Sequence, residues 1–325
     1  MARKYDVTGF GSAIVDVLAA VEDGFLLDHN IAKGVMTLID EHRAAQLYGA
    51  FSGPREVAGG SAANTMAGLA SLGARGNFAG RVKRDRLGAA FETSMRATGV
   101  TYTTVPADAG PSTACCLIAV TPDGERSMNT YLGAAREFGV ADVKEDDIAG
   151  AEIIYIEGYL WDAPLAKEAS LAAIRTAKAC GTKVAFTLSD PFLMGRYRDE
   201  FLALLGDLDI LFANEEEAKA LFAVSEFDDV VQALRSHTLT AAMTRSEKGC
   251  VIARGAEVHV VDAAPVARVV DTTGAGDQFA AGFLYGLTHD MGLADCGRLG
   301  ALAAAEVISH YGARPEVSLK QLAKL

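Results

Sequence analysis

Tryptophan occurs once and cysteine five times in 325 residues, and neither supplies a scaffold. Cys115 and Cys116 are adjacent, Cys180, Cys250 and Cys296 are scattered in apolar or helical contexts, and no CxxC pair occurs. That pattern argues against a disulfide framework and reads as buried thiols in a reducing compartment. Zinc spacing is missing as well: His29, His42, His237, His259, His289 and His310 form no ligand pattern. No uninterrupted apolar run is long enough to cross a bilayer. Residues 1–6 lead straight into a strand pattern with no apolar signal region. The expectation is a cytoplasmic, soluble protein without a membrane partner. Positive charge is also scarce. Thirty Lys and Arg stand against 42 Asp and Glu, a formal net charge of -12, which argues against nucleic acid or an anionic lipid surface as partner. Any phosphate chemistry must use local amides, a few basic residues and a metal.

Half of the residues are hydrophobic, enough for a sizeable core in one large α/β domain or two smaller ones. Apolar runs at 7–11, 14–21 and 76–82 predict strands, and the alternating run 34–40 a half-exposed one. Residues 112–121 and 126–132 flank Pro122-Asp123-Gly124-Glu125, a hairpin signal. From residue 151 the pattern is regular, with strands at 153–156, 184–188, 210–213 and 241–244. Helices are predicted at 164–180, 198–205 and 215–234, the last broken near Val224. A hairpin at 251–253 and 258–261, a helix at 276–287 and a final helix at 293–310 complete the chain. Helices are also expected after Gly59 through Leu72 and at 87–98. Alternating β and α units imply a mostly parallel sheet with helices on both faces. The early half-polar strands, 13–51 and 111–135, read as a small β-sheet lid on a core made of 1–12, 52–110 and 136–325.

The most informative stretch is Asp271-Thr272-Thr273-Gly274-Ala275-Gly276-Asp277. Val269 and Val270 before it read as a strand end, and a helix follows. Gly274, Ala275 and Gly276 let a ligand approach free amides at a helix start, where the dipole favours an anion. Asp277 in the first turn suits the handling of a hydroxyl proton. An ordinary Asp titrates near ~3.9, and the helix N-terminus is expected to lower Asp277 further, making it a late proton acceptor.

Other motifs admit two readings each. Gly9-Phe10-Gly11 lacks the third glycine of a dinucleotide fingerprint and reads as a strand-to-turn junction, and no GxxxxGK[ST] loop occurs. Asn214 with Glu217 is a capping box by spacing, or a metal-associated pair at a strand end. Gly59, Gly60 and Asn64 suit close helix packing or a polyhydroxyl ligand equally. Asp16 interrupts an apolar run and is either hydrogen-bonded structurally or reaches a ligand hydroxyl. Arg126 follows a turn, where a solvated charge is usual.

Together these residues resemble the PfkB/ribokinase family of carbohydrate kinases, over nearly the whole chain. Residues 271–277 are similar to that family's C-terminal signature, Gly59-Gly60 with Asn64 to its N-terminal glycine signature, and Asn214-x-x-Glu217 to its NxxE motif. Within the family the chain is most similar to adenosine kinases, through Leu188-Ser189-Asp190-Pro191-Phe192, residues 209–215 and Arg126-Ser127. The resemblance implies a ribokinase-like core with a β lid and ATP-dependent phosphorylation of a ribose 5′-hydroxyl. It implies Asp277 as catalytic base, an anion hole at Gly274–Ala275–Gly276, and Arg126 on the transferring phosphate. It implies acceptor contacts at Asp16, Ser12, Gly59, Gly60 and Asn64. Nucleotide contacts fall at Asn214, Thr244, Gly249 and Thr273. Mg²⁺ belongs with Asn214 and Glu217, through water, and a monovalent cation such as K⁺ with Asp271 and Thr273. Three departures stand out: Ser12 replaces an Asn of adenosine kinases, Ser246 a glycine of the nucleotide loop, and Thr187 an Asn common in sugar kinases. Met36, Leu38, Cys116, Leu117 and Leu132 on the lid, and Tyr159, Leu160 and Trp161 on the core, are candidates to wall a nucleobase. A sugar kinase acting on ribose, fructose or a keto-deoxy sugar acid shares all these motifs, and a catalytically silent nucleoside- or sugar-binding regulator is the rival of another class. The sequence does not decide between monomer and homodimer.

Overall fold

The computed structural model describes residues 3–325. Its strands are β1 (Tyr5–Phe10), β2 (Ile14–Ala20), β3 (Met36–Leu38), β4 (Arg55–Gly59), β5 (Gly76–Ala79), β6 (Thr101–Tyr102), β7 (Ala114–Val120), β8 (Arg126–Tyr131), β9 (Ala151–Glu157), β10 (Lys183–Thr187), β11 (Ile210–Asn214), β12 (Thr240–Thr244), β13 (Cys250–Arg254) and β14 (Glu257–Val261). They form a nine-stranded sheet in the order β14-β13-β12-β11-β10-β9-β1-β5-β6 and a five-stranded sheet in the order β3-β8-β7-β2-β4. The large sheet is parallel from β12 to β6, and only the terminal hairpin runs antiparallel. This is the ribokinase-like α/β fold with its second, smaller sheet.

Alternation along the buried strands explains the layers. Ile153 and Tyr155 face one core, with the helices Ser61–Leu72, Ala275–Thr288 and Leu293–Val307. Ile154 and Ile156 face the other, with Pro164–Cys180, Pro191–Leu204, Glu215–Phe222 and Phe227–Leu234. Both faces are covered, as a parallel sheet requires. Strand order reverses between β1 and β9, the place where ligand crevices form at the carboxyl ends of parallel strands.

Several local expectations needed correction. Val269 and Val270 belong to no strand; Val270 donates to the Ile308 carbonyl at 2.8 Å, pinning an extended crossover segment instead. The helix expected at 198–205 starts earlier, at Pro191, because Asp190 caps the Phe192 amide and Pro191 suits a first helical position. The final long helix stops at Val307, before His310. Run 34–40 shrinks to three exposed residues on the sheet edge. Strand β4 falls inside span 52–110, yet pairs with β2 in the smaller sheet, Asp16 opposite Val57. Helices Asp23–Asp28 and Glu41–Ala50 inside the lid span were not anticipated, since neither carries a long apolar stripe.

Two connections between the sheets are short. Three residues separate β1 from β2, and Gly60 alone separates β4 from the helix beginning at Ser61. Deep in the first core, the Phe283 ring lies edge-on to Phe212 at 5.6 Å and stacks on Phe279 at 6.1 Å. Phe283→Ala is expected to cost about 3–5 kcal/mol of stability through the cavity it leaves. Denaturant unfolding checks this, and a loss near zero contradicts the packing.

Candidate active site

Two helix starts converge at the carboxyl end of the large sheet. Gly60 caps Ser61–Leu72 with φ 91°, and Gly274 caps Ala275–Thr288 with φ 80°. Side chains are excluded at both: a Cβ on Gly60 would lie 2.2 Å from the Ser12 carbonyl oxygen, and one on Gly274 2.6 Å from Ala313 Cα. Neither helix has a side-chain cap, so first-turn amides are left for other acceptors. At the first helix Glu157 takes one: its Oε2 accepts from Ala62 N at 2.9 Å and its Oε1 from Ser12 N at 2.7 Å. At the second, the amides of Gly276 and Asp277 find no acceptor among the described residues. A Cβ on Gly276 would meet open space.

Asp277 joins the two helices. Its Oδ1 accepts from Ser61 Oγ at 2.6 Å and its Oδ2 from Asn64 Nδ2 at 3.1 Å. Burial raises its pKa, opposed by those two hydrogen bonds and by Arg314. The lowering expected from the helix dipole is thus outweighed: desolvation decides the direction. Asp16, on β2 of the smaller sheet, is pushed up to about 6 by burial against the pull of Arg126 and Arg314.

Ser12, Asp16, Gly60, Ser61, Asn64, Arg126, Glu157 and Thr273 form the polar end of a cavity of about 280 Å³. The rest of the lining is mostly apolar, with Met36, Leu38, Cys116, Ile118 and Met128 on the smaller sheet and Leu132 just after it, facing Leu160, Ala163, Ala166 and Phe192 on the core, and it also carries Thr130, Arg136, Tyr159 and Asp162. The Cys116 thiol is pushed up to about 12, mainly by burial, and stays a neutral wall. Leu117 points into the first core, as strand alternation demands, and Trp161 packs edge-on against Phe186 while its Nε1 donates to Glu200; neither lines the cavity. A smaller cavity of about 90 Å³ adjoins at Ser61, lined by Asn214, Glu217, Thr244, Gly276 and Asp277. Ser61 lines both cavities, and Asp277, which accepts its hydroxyl, lines the smaller one.

The remaining sequence candidates separate. Gly59 packs on Asp16, where a Cβ would lie 2.5 Å from Oδ2. Gly249 lines neither cavity; with φ 78° it turns the loop at Val261, where a Cβ would lie 2.0 Å from the carbonyl oxygen. Arg126 pairs with Asp271 and donates to Thr273 Oγ1 at 3.2 Å. Asp271 also accepts from Thr273 N at 3.0 Å, Thr273 Oγ1 at 2.6 Å and Gly312 N at 3.0 Å. Burial opposes these bonds, yet they and Arg126 hold the carboxyl below its ordinary pKa. Four donors saturate that carboxylate, so with Arg126 seated it offers no coordination position to K⁺.

Asn214 and Glu217 form the capping box in full: Glu217 N donates to Asn214 Oδ1 at 2.8 Å, and Asn214 N and Nδ2 donate back at 2.9 and 2.7 Å. Burial pushes the Glu217 carboxyl up to about 7. No cluster of three or more His, Cys, Asp or Glu with metal geometry occurs among the described residues. The oxygen donors at the small cavity do suit Mg²⁺ held through water, since both Glu217 oxygens are already engaged.

Sequence reasoning missed Ser61, which donates to Asp277 and lines both cavities, Arg136 on the larger cavity, Glu157 and Arg314. Glu157 follows an apolar strand and had only its position at a parallel strand end as a signal. Arg314, far along the chain, donates from Nε to Asn64 Oδ1 at 3.2 Å. Glu157 has a consequence for stability. Burial pushes it up to about 7, whereas an unfolded Glu titrates near ~4.3. Between those values the folded chain holds the extra proton, so stability is lost as pH rises through the window. Asp16, at about 6, and Glu217, at about 7, act in the same sense. The melting temperature of the ligand-free protein is expected to fall between about pH 4 and 7. Glu157→Gln should flatten that fall, on a lower baseline because an amide oxygen replaces only one acceptor. An unchanged slope in the variant contradicts the assignment.

No helix among the described residues is long and apolar enough to cross a membrane. The family model described as pfkB family carbohydrate kinase matches residues 37–319. Adenosine kinase 1 of Arabidopsis thaliana is 29% identical, over 94% of this chain and 94% of its own. Among solved structures, an adenosine kinase from Sinorhizobium meliloti is 50% identical, with a TM-score of 0.90 and 99% of each chain covered. A probable sugar kinase from Rhizobium etli CFN 42 is 48% identical, with a TM-score of 0.91, covering 99% of this chain and 98% of that one. Signature loops, paired sheets and the extent of these matches agree: the chain belongs to the pfkB family of carbohydrate kinases.

Proposed function

We propose that the protein transfers the γ-phosphoryl group of ATP to the 5′-hydroxyl of adenosine. The observation that carries this reading is the shape of the larger cavity. Ser61 and Asn64 on its lining donate to Asp277, and its mostly apolar remainder lies between the smaller sheet and the core. A free sugar fills only the polar end; a purine nucleoside uses both.

Asp16, Ser12, Gly60 and Asn64 hold the ribose hydroxyls, and Gly59 keeps its Cα against Asp16. The hydroxyl oxygen attacks the γ-phosphorus, the bond from that phosphorus to the β–γ bridging oxygen breaks, and ADP leaves. Asp277 orients the hydroxyl and accepts its proton late, as P–O bonding acidifies it. Its burial, by raising its basicity, helps that task. The free amides of Gly276 and of Asp277 next to it stabilise charge on the transferring group; that of Ala275 already donates to the Thr272 carbonyl. Arg126 reaches it by leaving Asp271. Asn214, Thr244 and Thr273 contact the nucleotide, and Asn214 with Glu217 hold Mg²⁺ through water. That ion, when bound, neutralises charge on the phosphates. No step is assigned to K⁺ or to Gly249.

One observation favours a second reading, a keto-deoxy sugar acid as acceptor. Arg136 lines the same cavity and makes no ion pair among the described residues, so it could meet a carboxylate. A coupled assay of ADP release across adenosine, ribose, fructose and a keto-deoxy sugar acid separates the two. Adenosine is expected to support turnover; activity on sugars or sugar acids with none on adenosine overturns the preferred substrate. Asp277→Asn is expected to keep acceptor binding by calorimetry while losing roughly a hundredfold or more in turnover. Near-normal turnover removes Asp277 from the role.

A further inference from the structure

Arg314 is a half-buried cation that the scheme above leaves without a task. It lies on the C-terminal segment, next to Ala313, whose carbonyl accepts from Gln278 Nε2 at 2.9 Å. Its NH1 donates to Ser94 Oγ at 3.2 Å and its NH2 reaches Met95 Sδ at 3.3 Å, so the helix Arg86–Ala97 anchors one side of the guanidinium. The other side, Nε, donates to Asn64 Oδ1 at 3.2 Å. Asn64 Nδ2 in turn donates to Asp277 Oδ2 at 3.1 Å.

We infer that Arg314 is a positioning residue that sets the orientation of the Asn64 amide and, through it, the Asp277 carboxylate. A guanidinium has donors and no acceptor. Only one of the two amide flips of Asn64 therefore satisfies Arg314, and that flip aims the NH₂ group at Asp277. Without Arg314, Oδ1 loses its donor and the amide is free to turn an oxygen toward a carboxylate. The second task is electrostatic. The charged and titratable groups facing Asp277 are Asp16 on β2, Glu157 and Tyr155 on β9, Tyr159 after it, and Arg314 from the C-terminal segment. Arg126 faces Asp16. Arg314 is the cation that acts on both Asp16 and Asp277. Burial lowers its own pKa to about 10, opposed by those two carboxylates, which leaves it charged near neutrality.

The inference rests on the kinase reading above, and its test is a double-mutant cycle. Arg314→Met keeps the packing on Met95, and Arg314→Lys stands in its place should that variant not fold. Each is combined with Asn64→Ala, and kcat, KM and the pH profile are measured with whichever acceptor the wild type phosphorylates. Arg314→Met is expected to lower kcat roughly tenfold or more with a smaller change in KM, and to move the acid limb of the profile to higher pH. In the cycle, kcat of the double variant measured above the acid limb, where Asp277 is ionised in every variant, should match Asn64→Ala alone. Arg314→Lys, which keeps the charge, should hold the acid limb in place while still lowering kcat. Additive losses, or an Arg314→Met enzyme with unchanged kcat and acid limb, overturn the inference and leave the kinase reading intact. A wild-type chain inert toward every acceptor overturns both.

Discussion

The site depends on how closely two helices approach. A Cβ on Gly68 would lie 2.1 Å from Gln278 Oε1 and 2.7 Å from Ala281 Cβ, so Ser61–Leu72 can present no side chain of its own where Gln278 and Ala281 of Ala275–Thr288 press against it. Gln278 then bridges the seam, its Nε2 donating to the Asn64 carbonyl at 3.0 Å. This approach brings Ser61 and Asn64 within hydrogen-bond distance of Asp277, more than 200 residues away in sequence. A bulkier residue at position 68 would part the two helix starts. The amides, the carboxylate and the two cavities would then no longer share one corner.

A chain of net charge -12 concentrates both signs at this corner. Asp16, Glu157, Glu217 and Asp277 are all raised by burial. Arg126 is set against Asp16, and Arg314 against Asp16 and Asp277. Such a site stores electrostatic cost in the ligand-free state, because desolvated acids are held near one another. A ligand that brings hydrogen-bond donors or a cation relieves part of that cost. The surface charge of the molecule opposes polyphosphates at long range, so affinity for one must arise at short range, from amides and guanidinium groups.

Much of the architecture was legible in the sequence because buried parallel strands and their helices carry strong periodicity. The helix Pro164–Cys180 begins at a proline and ends before a glycine, and both ends were readable. Strand β4 was not, since Arg55-Glu56-Val57 reads as polar until β2 is known to lie beside it. At the site, the glycine turns and Asp277 were legible as local motifs. Their electrostatics were not: the helix dipole suggested a lowered Asp277, and burial, which depends on the whole fold, reversed the sign. Arg314 and Glu157 were invisible for a related reason. A lone charged residue has no periodicity, and its role exists only through partners 250 and 145 residues distant. Leu117 and Cys116 are neighbours on one strand, so their opposite destinations were fixed by register, which the sequence alone leaves open.

The short links between the sheets carry one more consequence. Residues 11–13 and Gly60 are the connections by which β2 and β4 leave the core. Ser12 and Gly60 also line the larger cavity. Any swing of the small sheet must bend backbone that forms the floor of the cavity, so the pivot and the floor are one mechanical part. Molecules seated there load the pivot directly, and no relay through intervening side chains is required.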